Sequence, residues 1–252
     1  MMSQHLLFTL AAPIASFGTV AVGERRPTWD RPSKSQIIGL VAGCLGIERC
    51  EEEKQQALVV SLGFAVRIDD PGQLATDYHT TQVPPARRNR RFATRAEELA
   101  VGNTDLKTIL SRREYRTGSC YTVCLWLKTS GPASLDDIKA AIVSPEFVPF
   151  AGRKANALMF PMQPVAVEAE NIGAAFAAFD AQRPSEIAKL WETLKFKAHG
   201  HALIFADADG TLGQPAARLE ERRDIPESRA KWRFGLRSEV LLGKSANTGE
   251  TT

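Results

Sequence analysis

Hydrophobic and polar positions alternate between strand-like and helix-like periods along the first two thirds of the chain. His5 to Ala12 is a short apolar run that ends at Pro13 and reads as a first, central strand. Ile37, Ile38, Leu40, Val41, Cys44 and Leu45 then recur at helical spacing, predicting a helix from Ser33 to about Gly46. Pro32 followed by Ser33 marks its start, where Ser33 or Ser35 can cap free backbone N–H groups. A second helix, about Glu51 to Leu62, repeats the pattern with Ala57, Leu58 and Leu62, and Phe64 to Ile68 alternates like a strand. From about Gln73 to Arg116 large apolar residues are few and Pro84-Pro85 interrupts the run, so this stretch cannot build its own core. Tyr121 to Lys128 is again strand-like. Ser134 caps a helix to about Val143, with Asp136 and Asp137 in the first turn, where the helix dipole favours them.

The order is strand, helices, strand, insertion, strand, helix, then a loop with Gly152-Arg153-Lys154 and a fourth strand. That order predicts an α+β, ferredoxin-like (RRM-like) domain over residues 1 to 160, with helices on one face of an antiparallel sheet and the insertion, about 73 to 117, projecting like a thumb. After about Pro161 the pattern weakens. Ile172 to Phe179 reads as a helix, His201 to Ala206 as a strand and Asp207 to Gly210 as a turn. Residues 161 to 243 are expected to form a smaller C-terminal α/β extension, and the polar residues 244 to 252 a disordered tail.

Composition sharpens this picture at one place. A chain of 252 residues with 44% hydrophobic content can bury a real core, and its net charge is only +3. Residues 84 to 116 nevertheless hold nine Lys/Arg against four Asp/Glu, a local excess larger than that of the whole chain. Such concentration marks a protein that grips a polyanion along one track. Cys44, Cys50, Cys120 and Cys124 match neither paired zinc knuckles nor a secreted disulfide framework and read as buried reduced thiols. Residues 5 to 22 lack a basic leader and no run reaches membrane-spanning length, so a cytoplasmic location without membrane contact is expected.

Arg26, Thr28, Lys34, Ser35 and Gln36 lie where a basic, proline-punctuated loop enters the first helix, and could hold phosphates and sugar hydroxyls there. The plainer alternative is a solvated loop with helix caps. Gly39, inside that helix, permits close packing. In the insertion, Arg87, Arg88, Arg90, Arg91 and Arg95 stand beside Phe92, with His79 and Tyr115 flanking; arginine with flat side chains suits single-stranded RNA, although a solvated charge run has the same composition. Arg112, Arg113 and Tyr115 close the insertion, with Glu114 as an internal salt-bridge partner. Arg153 and Lys154 follow a glycine that allows close backbone approach to a ligand; the plainer alternative is a simple turn between helix and strand. Tyr78, His79, Lys107 and Tyr115 include the residue types for acid-base RNA cleavage, but no spacing fixes them together. His199 and His201 near Asp207 and Asp209 look like a metal set; on a strand such a pair more often faces one side, and neither metal nor cofactor is expected.

Three ordered motifs, the segment from Gly18 to Ile47, Arg113-Glu114-Tyr115 and Gly152-Arg153-Lys154, resemble the CasD family of type I-E CRISPR Cascade complexes, within the RAMP superfamily. The resemblance covers most of residues 4 to 160, with a looser echo near 218 to 242. Two places depart from the family pattern: Ala155-Asn156-Ala157 stands where Ser-Cys-Pro is usual, and Arg116-Thr117-Gly118-Ser119 where a small acidic-apolar turn is usual. The resemblance implies a non-catalytic subunit that grips the 5′ handle of the CRISPR RNA and caps the backbone filament. It also implies a thumb pressing on the guide near the first backbone subunit, contact with the large subunit that recognises target DNA, and the Gly152-Arg153-Lys154 loop as a second wall of the RNA site. The alternative, drawn from other CRISPR subtypes, is a metal-independent endonuclease that processes the precursor RNA.

Overall fold

The computed structural model describes residues 2–86, 91–102, 105–183, 185–194, 196, 203–208, 216–228 and 231–242. Strand β1 (Ser3–Ala15) is followed by the two-residue β2 (Arg25–Arg26), helices α1 (Lys34–Cys44) and α2 (Glu52–Ser61), and strand β3 (Leu62–Asp70). Strand β4 (Gln73–Val83), the short helix α3 (Arg95–Leu99) and the long strand β5 (Lys107–Leu127) come next, then α4 (Leu135–Val143) and β6 (Val165–Ala169). Helices α5 (Ile172–Ala181) and α6 (Ser185–Thr193) and strands β7 (Ile204–Asp207), β8 (Ala216–Ser228) and β9 (Arg233–Leu242) complete the described elements.

The sheet runs β6-β1-β5-β3-β7-β9-β8. Its first four strands have the ferredoxin-like order, all antiparallel, with Leu6 opposite Leu125 and Phe64 opposite the same Leu125 on the other side. The remaining strands extend this sheet beyond β3, with Ala65 paired to Ala206 and Phe205 to Leu241. The expected boundary near residue 160 therefore does not separate two sheets.

Both helix starts read from the sequence carry capping boxes. Ser33 Oγ accepts from the Gln36 backbone N–H and Gln36 Oε1 accepts from that of Ser33; Ser134 and Asp137 do the same for α4. Helices α1, α2 and α4 press Ile37, Ile38, Leu58 and Ile138 onto Leu6, Phe8, Phe64 and Val123. The other face is covered too, which corrects the expectation of helices on one face only. Ile172, Phe176 and Phe179 of α5 pack on Leu7, Ala65 and Cys124, the alternate residues of the same strands. Ile187 and Trp191 of α6 pack on Ala11 and Cys120. This second layer explains why β1 reads as a nearly continuous apolar run, and it buries β3 on both sides as well.

The insertion forms a two-stranded hairpin. Residues of β4 pair antiparallel with the first half of β5, from Gln73 opposite Thr117 to Val83 opposite Lys107, while the second half of β5 is a central strand of the sheet. Gly118, at φ +66°, takes a left-handed conformation where the hairpin leaves the sheet. The departure at residues 116–119 is thus part of a continuous strand. Cys44, Cys120 and Cys124 are buried and free, and burial pushes the Cys44 thiol up to about 11; Cys50 is exposed, against expectation.

Candidate nucleic-acid interface

The end of β1 gathers three separate segments. Ser16 N–H donates to Ala151 O (3.1 Å), Ser16 Oγ donates to Glu114 O (3.4 Å), and Gln36 Nε2 donates to Ser16 O (3.3 Å). Gly152 sits at φ +88°, and a Cβ there would stand 1.8 Å from Ser16 O, so only glycine lets this loop close on the sheet. Asn156, one of the departures, is buried and locks the same loop by donating from Nδ2 to Ala151 O (3.1 Å).

That closure brings two motifs into contact. The Arg153 guanidinium lies 4.5 Å from the centre of the Tyr115 ring, a cation–π stack between the glycine loop and the base of the thumb. Arg153 Nη1 is buried without a hydrogen-bond partner among the described residues, a donor left over at the junction. Glu114 is, as expected, an internal partner: it binds Arg25 Nη2 (3.0 Å) and accepts from the Thr28 N–H (3.2 Å). Arg25–Arg26 add as a short parallel strand beside Arg112–Arg113. Around this base, Arg26, Arg112 and Lys154 are exposed, and Arg113, Tyr115 and Arg153 half-buried. Arg26 bonds its own loop at Gly23 O (2.6 Å), and Arg113 Nε donates to Ser111 Oγ (3.2 Å).

The helix mouth departs from expectation. Lys34 is buried at 2% exposure, with Nζ 2.6 Å from Asp207 Oδ2, and its backbone N–H donates to Asp224 Oδ2 (3.0 Å). Burial lowers the Lys34 pKa, opposed by Asp207. Ser33 and Gln36 take up further donors of the first turn, so the anion that the helix start attracts is the protein's own carboxylate. Lys34 is therefore corrected from a surface phosphate ligand to a core ion pair. Thr28 and Ser35 are also buried; Thr28 Oγ1 accepts from the Phe17 N–H (2.8 Å) and donates to Trp29 O (3.2 Å), pinning the loop.

Asp207 and Asp224 belong to a buried network from the C-terminal strands. Arg237 makes a two-pronged bond to Asp224 (both 2.8 Å) and reaches Asp207 (2.9 Å) and Glu239 (2.7 Å), and Arg31 binds Glu239 at 2.6 Å. Arg31, Lys34, Asp207, Asp224, Arg237 and Glu239 thereby tie the basic loop and α1 to β7, β8 and β9. Sequence reading missed this network. Its signal was present in Arg222/Asp224 and Arg237/Glu239, charges of both signs two apart, which place one face of each strand inward.

Beside the glycine loop lies a groove of about 940 Å³ between α1, residues 147–154 and the turn before β9. Phe147, Phe150 and Lys154 of the glycine-loop segment line it, together with Arg49, Trp232 and Phe234. None of these except Lys154 was singled out in the sequence.

The candidate acid-base residues do not converge. Tyr115 is opposite Ala75 and Lys107 opposite Val83, each four positions from His79 along β4, or roughly 13 Å at the usual strand rise. His79 Nε2 instead stands 2.7 Å from Asp77 Oδ2, and Tyr78 is exposed. Arg91 is exposed; Arg87, Arg88 and Arg90 lie outside the described residues, as do His199, His201 and Asp209 and the expected tail from 244 to 252. Asp207, the described member of the imagined metal set, is bound to Lys34 and Arg237.

The family description CRISPR-associated protein (Cas_Cas5) matches residues 5–239. This chain belongs to the Cas5 family. The Cascade subunit CasD of the CRISPR system of Escherichia coli (strain K12) is 32% identical over 161 residues, covering 64% of this chain and 70% of that protein. A solved chain described as a CRISPR RNA-guided surveillance complex is similar with a TM-score of 0.60 at 22% identity, covering 94% of this chain and 89% of that one. A crystal structure of a Cas protein is similar with a TM-score of 0.51 at 21% identity, covering 94% and 95%. The α+β reading and the resemblance to CasD both hold. Because the Cas5 match runs through Glu239, it takes in β7, β8 and the ionic network as well as the thumb.

Proposed function

We propose that this chain is a non-catalytic, RNA-binding subunit of a Cascade surveillance complex. It grips the 5′ handle of the CRISPR RNA at the base of the thumb and caps the end of the backbone filament. The observation that carries this reading is the Arg153–Tyr115 stack, because it joins two separate motifs into one cation-rich, aromatic surface with Arg26, Arg112, Arg113 and Lys154 around it. Single-stranded RNA is held by such surfaces, through phosphate pairing and base stacking. CasD of E. coli is named as a Cascade subunit, which supports the same assembly here. The partners are then the guide handle, a backbone subunit meeting the thumb, the large subunit and, through the complex, target DNA. No membrane partner is proposed, and among the described residues no helix is long and apolar enough to cross a membrane.

The separation of His79, Lys107 and Tyr115 along the hairpin favours binding over cleavage, since acid-base chemistry needs its groups within hydrogen-bond reach of one phosphate. Incubating the purified chain with its repeat RNA in chelator tests this. Retained, uncut RNA is expected. Specific cleavage abolished by His79→Ala, Lys107→Ala or Tyr115→Phe would replace the binding subunit with an endonuclease.

A further inference from the structure

The groove beside the glycine loop is lined by aromatic side chains from two separate segments. Phe147 and Phe150 are 47% and 39% exposed, and Trp232 is 57% exposed, with the Phe234 ring 6.2 Å away. Trp232 sits at φ +50°, a left-handed conformation that a bulky side chain adopts at a cost and that recurs at ligand sites. The Arg49 guanidinium lies over its ring at 4.7 Å, presenting a guanidinium and an indole as one layered wall. The volume of about 940 Å³ falls within the usual range for small-ligand clefts.

Charge decides what fits. Arg49 and Lys154 both line the groove, and Glu48 is the single acidic side chain lining it among the described residues; its carboxylate accepts from Cys50 Sγ (3.4 Å). An apolar protein segment laid here would bury two cations against one carboxylate, which is unfavourable. A nucleotide brings flat rings for the walls and a phosphate for the cations. Lys154 also makes the groove continuous with the surface around Arg153.

We infer that this groove holds an unpaired base of the bound RNA, stacked against the Arg49–Trp232 wall. The inference rests on the proposed function and locates a base subsite that the phosphate-gripping surface does not include.

An abasic scan of the repeat RNA against the full chain tests it. With wild-type protein, removing one base while keeping its phosphate lowers affinity roughly tenfold at a single position. With Trp232→Ala the affinity for intact RNA drops by a similar factor and the abasic penalty at that position disappears, whereas Trp232→Phe keeps both. Arg49→Ala reduces the penalty partially. If wild type binds the RNA but Trp232→Ala changes neither affinity nor the abasic profile, the groove inference is wrong and the phosphate grip stands. If wild type binds no RNA, both fall. Loss of a protein partner with unchanged RNA affinity in Trp232→Ala assigns the groove to that protein and overturns the inference.

Discussion

Lys34 Nζ lies 2.6 Å from Asp207 Oδ2 with both side chains buried, so the cation that stands at the head of the basic loop is a structural tie between α1 and β7. Leaving a buried charge wholly unpaired costs about 3–5 kcal/mol, and because Arg237 still holds Asp207 at 2.9 Å that range is the upper limit for removing Lys34. Lys34→Met is therefore expected to lower the unfolding free energy by up to that amount, while protein that remains folded keeps the wild-type salt dependence of RNA binding. Denaturant unfolding and RNA titration of the same variant check this. A lowered salt slope with unchanged stability would return Lys34 to the RNA surface.

Gly152 fixes the glycine loop against Ser16 O, and a methyl group there meets that backbone oxygen at 1.8 Å. Gly152→Ala is expected to push the loop outward, separate Arg153 from Tyr115 and reduce RNA affinity at least as much as Arg153→Ala. It also destabilises the fold, because the strain falls on backbone and not on a flexible side chain. Wild-type RNA affinity in this variant would separate loop geometry from binding.

The hairpin carries little of the core, as no residue of α3 is buried. Val83 and Lys107 are direct partners, so replacing residues 84–106 with Asn-Gly closes the strands by a tight turn. Thermal unfolding should change by no more than a few degrees, because no large apolar side chain leaves a packed site, whereas assembly with Cascade partners should fail. Unfolding of the chain would make the thumb structural, and assembly with full guide retention would remove it from the function.

Three strands of the ferredoxin-like unit, β1, β3 and the second half of β5, and helices α1, α2 and α4 were readable from their apolar residues, and each of these helix starts but that of α2 carries a side-chain cap; the fourth strand, β6 at Val165–Ala169, lies past the expected end of the domain at residue 160. Strand β4 escaped notice since it is exposed along its length and pairs only with β5, which leaves no hydrophobic pattern to read. The β8–β9 hairpin was obscured for the opposite reason. Its inward positions Arg222, Asp224, Arg237 and Glu239 are charged, with Arg237 bonded to Asp224 and Glu239 and Arg222 donating to Arg31 O, so burial there has a polar signature. Of the site, Arg153, Lys154, Tyr115 and Arg26 could be named from motifs alone. The burial of Lys34, and the meeting of Arg49 with Trp232 across 183 positions, are products of tertiary packing that no local pattern records.

The central claim is that phosphates of a single-stranded RNA are gripped at the thumb base by Arg26, Arg153 and Lys154. It is tested most directly by the salt dependence of repeat-RNA binding in wild type and in the folded Arg26→Ala/Arg153→Ala/Lys154→Ala variant. Each phosphate contact on a single strand adds about 0.7 to the magnitude of the slope of log affinity against log salt. The account predicts weaker binding and a slope shallower by roughly 2 units in the triple variant. Equal affinity and equal slope in the two proteins would contradict it.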